Sequence, residues 1–369
     1  MAGKRMKSLT RVFLGTAVAA SLVPLPVQAC TSFLIHDTNG APDYGRTMEF
    51  GFDLESSAIV IPRQYGLSAT GTDGKMGGGM SWKSKYAAVG LSAFDMPVVT
   101  DGMNEKGLTG GILYFPDYVG YADPKTANPD GAMAPWDFLT WALTNFETVA
   151  EVKANLGGIS IVGVELSQMG AVPPFHYTLH DATGASLVVE PVGGKLTVYD
   201  NPLGVMTNSP EFSWHLTNLK NYVKLSSENA PPLKVDGQTI TSFGQGSGLL
   251  GIPGDPTPPS RFIRALGYTL SIEPVAPGAE SVRLAEHVVN NFDIPVGWIR
   301  PGEAEGKSPL EYTQWSTVAD ITNTHYYVKS YDDQVLRGID LKDFDLDAKD
   351  IVTAPLKPNM APPALSFTK

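Results

Sequence analysis

A second cysteine is missing. Among 369 residues Cys30 carries the only thiol, so an internal disulfide is excluded. What remains is a buried bystander, a lipid-modified cysteine or a reactive thiol. Positive charge is also scarce: 27 Lys and Arg stand against 38 Asp and Glu, a net charge of −11. That balance argues against non-specific nucleic-acid binding, and any anionic ligand must be held by a few local arginines. Beyond the first thirty residues no apolar run approaches the ~20 residues of a spanning helix. A Gly-x-Ser-x-Gly elbow is absent, which argues against a serine esterase. Metal motifs are absent too. His176 and His180 fall four apart on a predicted strand, roughly 13 Å apart, too far to share one ion, and are read as core or surface histidines. Gly244-Gln-Gly246-Ser-Gly248 lacks a strand–turn–helix setting and a following lysine, so it is read as a flexible turn rather than a phosphate loop. No metal or organic cofactor is implied.

What is present begins with an export leader over 1–29. Lys4, Arg5, Lys7 and Arg11 give a basic start, Val12 to Val23 a short apolar stretch, and Val27-Gln28-Ala29 small residues flanking a cut. The run is too short for an uncleaved membrane anchor, so no stable membrane insertion is expected once the leader is removed. The mature chain would start at Cys30 in the periplasm or outside the cell. Lipoproteins also place a cysteine after the cut. Here, however, Gln28 is bulky and polar, and Thr31-Ser-Phe-Leu-Ile-His36 reads as a core strand rather than a flexible tether.

A free N-terminal cysteine combines two groups in one residue. Its α-amine titrates near ~8 and a thiol near ~8.5, so each exchanges protons near neutrality. Nucleophile and base then need no separate histidine, the arrangement of N-terminal Thr and Cys hydrolases. Export cleavage would switch such an enzyme on.

Downstream, short β segments are predicted at 31–36, 43–48, 58–62, 86–92, 107–114, 159–164, 176–181, 185–190 and 195–199, with three more at 311–320, 324–331 and 335–341. Asp181-Ala-Thr-Gly184 reads as a hairpin turn. Helices are predicted at 135–146, 148–156, 212–224, 259–271 and 280–293, the second opened by a capping box, Thr148-Val-Ala-Glu151. Antiparallel strands with helices gathered between them give an α+β class, two sheets covered by helices. Neither a repeat nor a linker is visible, so one domain over 30–352 is expected. The loops 64–80 and 115–134 are long enough to be functional. From Thr353 a Pro-rich tail, 353–369, is read as a loose surface strap or partner-binding arm.

Specific residues sharpen this. Cys30-Thr-Ser-Phe33 is followed by Gly45-Arg46-Thr-Met-Glu49-Phe50, then Asp101-Gly-Met-Asn-Glu-Lys-Gly107-Leu108, Gly111-Ile-Leu-Tyr114 and Gly204-Val-Met-Thr-Asn208-Ser-Pro210. Phe243-Gly-Gln-Gly246, Thr257-Pro-Pro-Ser-Arg261-Phe262 and Asn323-Thr-His-Tyr-Tyr327 complete the series. In this order, over nearly the whole mature chain, they resemble the choloylglycine hydrolase family, the N-terminal-nucleophile group containing penicillin V acylases and conjugated bile salt hydrolases. The resemblance implies a four-layer αββα fold, two stacked antiparallel sheets flanked by helices, and amide hydrolysis with Cys30 as nucleophile.

It also implies roles for five further residues. Arg46 would stand beside the nucleophile and favour thiolate. Glu49 occupies the place of the family's usual aspartate, which holds the α-amine; its extra methylene changes reach and angle. Asn208 would be an oxyanion-hole donor, typically worth ~3–4 kcal/mol, and the Tyr114 backbone N–H the other. Penicillin V acylases tend to carry tyrosine there and bile salt hydrolases asparagine. Arg261 would bind Cys30 or support the site. The resulting expectation is an exported amidase cleaving a small-molecule N-acyl amide: penicillin V, and N-acyl homoserine lactones as suggested by Gram-negative relatives. Conjugated bile salts are the enzymatic alternative. A lipid-anchored, non-catalytic binding protein on the same fold is the alternative of another class. The resemblance also suggests a homotetramer.

Overall fold

In the computed structural model, which describes residues 29–300, 310–356 and 361–367, two antiparallel sheets form the centre of the molecule. The first contains β1 (Cys30–His36), β2 (Pro42–Phe50), β10 (Tyr312–Asp320), β11 (His325–Ser330) and β12 (Arg337–Asp340), in that spatial order. The second runs β9 (Lys195–Asp200), β8 (Ser186–Val192), β7 (Phe175–His180), β6 (Thr109–Tyr114), β5 (Asp101–Asn104), β4 (Ala88–Leu91), β3 (Ser57–Ile61) and β13 (Val352–Pro355). Helices α1 (Phe138–Asn145) and α2 (Val149–Asn155) lie on the second sheet's side, with α1 against β5 and β6. Helices α4 (Pro258–Ser271) and α5 (Ala279–Val289) cover the first sheet, α4 on β1 and α5 on β2 and β10; α3 (Phe212–Asn218) abuts α4. This is the expected α+β layering. Residues 1–28 of the expected leader, 1–29, lie outside the described residues.

Layering explains why the first strands carry no polar–apolar alternation. All nine residues of β2, and all of β1 except His36, are buried. One face meets the second sheet and the other meets α4 and α5, so both faces must satisfy packing. The β7–β8 hairpin turns at Asp181–Gly184, where Gly184 takes φ 81°. At α2 the Thr148 hydroxyl accepts from the Glu151 amide at 3.2 Å, while Glu151 reaches back to the Glu147 amide at 2.8 Å, one residue short of the expected box.

Several expectations shift. The strand expected over 159–164 shrinks to Ser160–Ile161, paired in parallel with Ala132–Met133. The strand expected at 107–114 is β6, Thr109–Tyr114, and it is preceded by an unpredicted strand, β5, across a turn at Gly107, φ 87°. In the 64–80 loop, Gly66–Ser68 pairs with Ser81–Lys83. Within the Gly244–Gly248 stretch, Gly244 to Gly246 is exposed, and Ser247 and Gly248 are half-buried and open a 3-10 turn, Ser247–Leu249. The expected loose tail begins instead as β13, an edge strand paired with β3 from Val352↔Val60 to Pro355↔Ser57. An edge position tolerates the proline.

Candidate active site

The β1–β2 register sets the site. Cys30 pairs with Met48 and Ser32 with Arg46, so Cys30, Met48 and Arg46 share the face turned to the second sheet. Arg46 is fully buried. Its Nη1 donates to the Thr100 carbonyl at 2.9 Å and to Asp101 Oδ2 at 3.1 Å; its Nη2 donates to the Ile112 carbonyl and lies 3.8 Å from Cys30 Sγ. Asp101 also accepts from Tyr44 at 2.8 Å, Thr317 at 2.9 Å and Tyr326 at 2.5 Å. The guanidinium is thus pinned between sheets. Burial alone would ease its proton off, but Asp101 and Cys30 outweigh that and hold it charged. Burial pushes the Cys30 thiol up, against the pull of Arg46 and, more weakly, Arg261.

The backbone of Cys30 is held from two sides. Residues preceding Asn208 zip along β1: Ser32 and Met206 exchange both backbone hydrogen bonds, at 2.8 and 3.0 Å. Asn208 Oδ1 then accepts from the Cys30 N–H and from Arg261 Nη2, each at 2.7 Å. Its Nδ2 donates to the Tyr114 carbonyl at 2.8 Å. Two donors on the oxygen and a carbonyl at the nitrogen fix the amide orientation and leave one N–H without a partner among the described residues. Helix α4 opens with Pro258 and Pro259, placing Arg261 in its first turn. Arg261 donates to the Cys30 carbonyl, to Thr31 Oγ1 at 2.8 Å and to Pro256 at 2.8 Å.

Glu49 falls on the opposite face from the thiol. Its amide bonds the Ala29 carbonyl at 3.1 Å, and its Oε1 accepts from Thr313 at 2.8 Å. Oε2 has no partner among the described residues. Burial raises its pKa to about 8, against the opposing pull of Arg261. The contact expected from Glu49 to the Cys30 nitrogen is made by Asn208 with Ala29 in place. Tyr114 ends β6; its hydroxyl is buried and unpartnered among the described residues, and the residue lines a small apolar cleft. Cys30, Met48, Phe50, Ile112 and Phe175 line it as well.

All six sequence-predicted residues therefore converge on the Ala29–Cys30 junction. Sequence reasoning missed four supporting groups. Asp101 lay inside a quoted motif. His176 and His215 donate through Nε2 to the consecutive carbonyls of Thr207 and Asn208, each at 3.0 Å, and nothing local in the sequence signals that. Glu311 stands just before β10, buried, with neither carboxylate oxygen partnered among the described residues.

A profile of the linear amide C–N hydrolases, choloylglycine hydrolase family, matches residues 30–354. The chain belongs to that family. It is a linear amide C–N hydrolase. A bile salt hydrolase/transferase from Clostridium perfringens is 36% identical over 332 residues, 88% of this chain and 96% of its own length. A mutant conjugated bile acid hydrolase from the same organism superposes with a TM-score of 0.79 at 32% identity, covering 91% of this chain and all of that one. Penicillin V acylase from Agrobacterium tumefaciens superposes with a TM-score of 0.72 at 25% identity, covering 89% and 92%. Among the described residues of this family member, no helix is long and apolar enough to cross a membrane.

Proposed function

We propose that the chain is cut after Ala29 on export and that the freed Cys30 hydrolyses the amide of a conjugated bile acid. The carrying observation is that the Cys30 amide, carbonyl and thiol are each held, by Asn208, Arg261 and Arg46, while the thiol borders an apolar cleft. The thiolate attacks the acyl carbon and the S–C bond forms. The remaining Asn208 N–H and the Tyr114 backbone N–H serve the tetrahedral oxygen. The α-amine takes the thiol proton and passes it to the leaving amine as the C–N bond breaks. Water then cleaves the thioester, regenerating the thiol.

The bile-acid reading is supported by higher identity to the Clostridium perfringens enzymes than to penicillin V acylase. The expectation of penicillin V as main substrate yields to it. Tyr114, the residue penicillin V acylases tend to carry, favours penicillin V or an N-acyl homoserine lactone as second reading. A homotetramer is supported by the exposed 222–252 excursion, which carries Val223, Leu233, Ile240, Phe243 and Leu250 outward. Intact mass and N-terminal sequencing of exported protein, followed by assays with glycocholate, penicillin V and a long-chain acyl homoserine lactone, test the reading. A free Cys30 start with fastest release from glycocholate is expected. Faster release from penicillin V would select the second reading. A lipid-sized mass increment without hydrolysis would leave the lipid-anchored binding protein. Cys30→Ala should abolish turnover of every substrate.

A further inference from the structure

Resting on that reading of Cys30 as the first mature residue, we propose that Glu311 is a positioning residue that, together with Glu49, holds the α-ammonium created by the cut. The first sheet aligns the groups concerned. Ala29 bonds Glu49 across β1 and β2, Glu49 pairs with Thr313, and Glu311 lies two residues before Thr313, on the same face. In the uncut chain this corner carries three carboxylate oxygens with no partner among the described residues: Glu49 Oε2 and both of Glu311. Both side chains are fully buried. Orphaned buried carboxylates are costly, and native proteins rarely keep them without a use.

The cut supplies what they lack. The peptide nitrogen of Cys30 has one N–H, already given to Asn208 at 2.7 Å. An ammonium has three donors, and its two additional hydrogens need acceptors at the place Ala29 vacates. Ala29 is itself buried; the Arg261 charge and then the nearby Ala29 N–H pull on Glu311, although that N–H closes no hydrogen bond to it. Burial dominates nonetheless, and Glu311 is raised to about 7. The charged groups facing the new amine are Glu49 and Arg46 from β2, Arg261 from α4, the Cys30 thiol and Glu311. Arg261 directs four of its five N–H groups to Pro256, Cys30, Thr31 and Asn208, so it reaches both glutamates through its charge and makes no hydrogen bond to either.

Two chains test this: one begun at Met-Cys30, whose Met is removed, and one begun at Val27, each with Glu311, Glu311→Gln or Glu311→Asp. In the Cys30 chain, Glu311→Gln should lower kcat about ten-fold with little change in KM. It should also shift the acidic limb of kcat/KM about one unit down, because the amine loses a stabilising charge. Glu311→Asp should recover part of both. In the melting temperature the sign should invert: Glu311→Gln lowers Tm of the Cys30 chain and raises it in the Val27 chain, where it removes an orphan. Equal Tm losses in both chains, with kcat and the pH limb unmoved, would overturn the proposal. If the unsubstituted Cys30 chain hydrolyses no amide, the reading of Cys30 falls, while the Tm pair still decides Glu311.

Discussion

Glu49 shows how one methylene can be accommodated. The family's usual residue at this place is aspartate, by the resemblance noted above. The longer side chain keeps its Oε1 on Thr313 at 2.8 Å and leaves Oε2 unspent beside the Ala29–Cys30 peptide. Burial raises it to about 8, so in the uncut chain it is largely protonated near neutrality. An amide of the same shape therefore fits the folded chain, but it cannot hold an ammonium as a carboxylate does. Glu49→Gln should keep the native melting behaviour and lose about a hundred-fold in kcat, within the range of a lost acid–base partner. Near-native turnover on any good substrate would refute the assignment. The thiol needs its own support, since burial works against thiolate and Arg46 is the principal cation opposing it.

The strands that carry these residues were legible to different degrees. β1 announces itself by the run Thr-Ser-Phe-Leu-Ile, whereas β2, with Pro42, Asp43 and Gly45, was legible chiefly through its Gly45–Phe50 motif. β5, Asp-Gly-Met-Asn, has no such residue, and its pairing with β4 depends on two bare backbones: a Cβ on Gly102 would meet the Val89 carbonyl at 2.3 Å and Gly90 Cα at 2.9 Å. Tertiary packing decides there, not propensity. β13 was hidden by its proline. At Gly111 in β6 the same kind of contact becomes functional. A Cβ there would lie 2.6 Å from Arg46 Nη1, 2.8 Å from the Tyr44 hydroxyl and 2.9 Å from Asp101 Oδ2. Gly111→Ala must therefore push the Arg46–Asp101 pair apart. Overpacking costs about 1–3 kcal/mol, and breaking a buried pair about 3–5. The variant should melt several degrees lower, and its Cys30 should alkylate more slowly at neutral pH. An unchanged alkylation rate would mean that Arg46 does not tune the thiol.

At the scale of the whole molecule, the six site residues were legible because each sits in a short motif, while of their supports only Asp101 does, and its motif gives no sign of the contact with Arg46. Asp101 crosses from the second sheet and Glu311 enters from before β10, and only the layered fold brings them to Cys30. That convergence has a consequence for stability. In the uncut chain Glu49 rises from 4.5 to about 8 and Glu311 from 4.5 to about 7. A raised carboxylate means that the folded state binds more protons than the unfolded state between those values, so stability falls as pH rises through the window. Each unit is worth about 1.4 kcal/mol per group. Asp43 and Asp137 are also raised, each to about 7, but by burial that is independent of the cut. They slope both forms alike. A chain begun at Val27 should thus lose melting temperature from about pH 5 to 8 more steeply than one begun at Cys30, where the ammonium lets both glutamates ionise. Melting both across that range measures the difference directly. Parallel curves would mean that the new amine does not reach the two glutamates, and that the cut frees the nucleophile without settling the charge behind it.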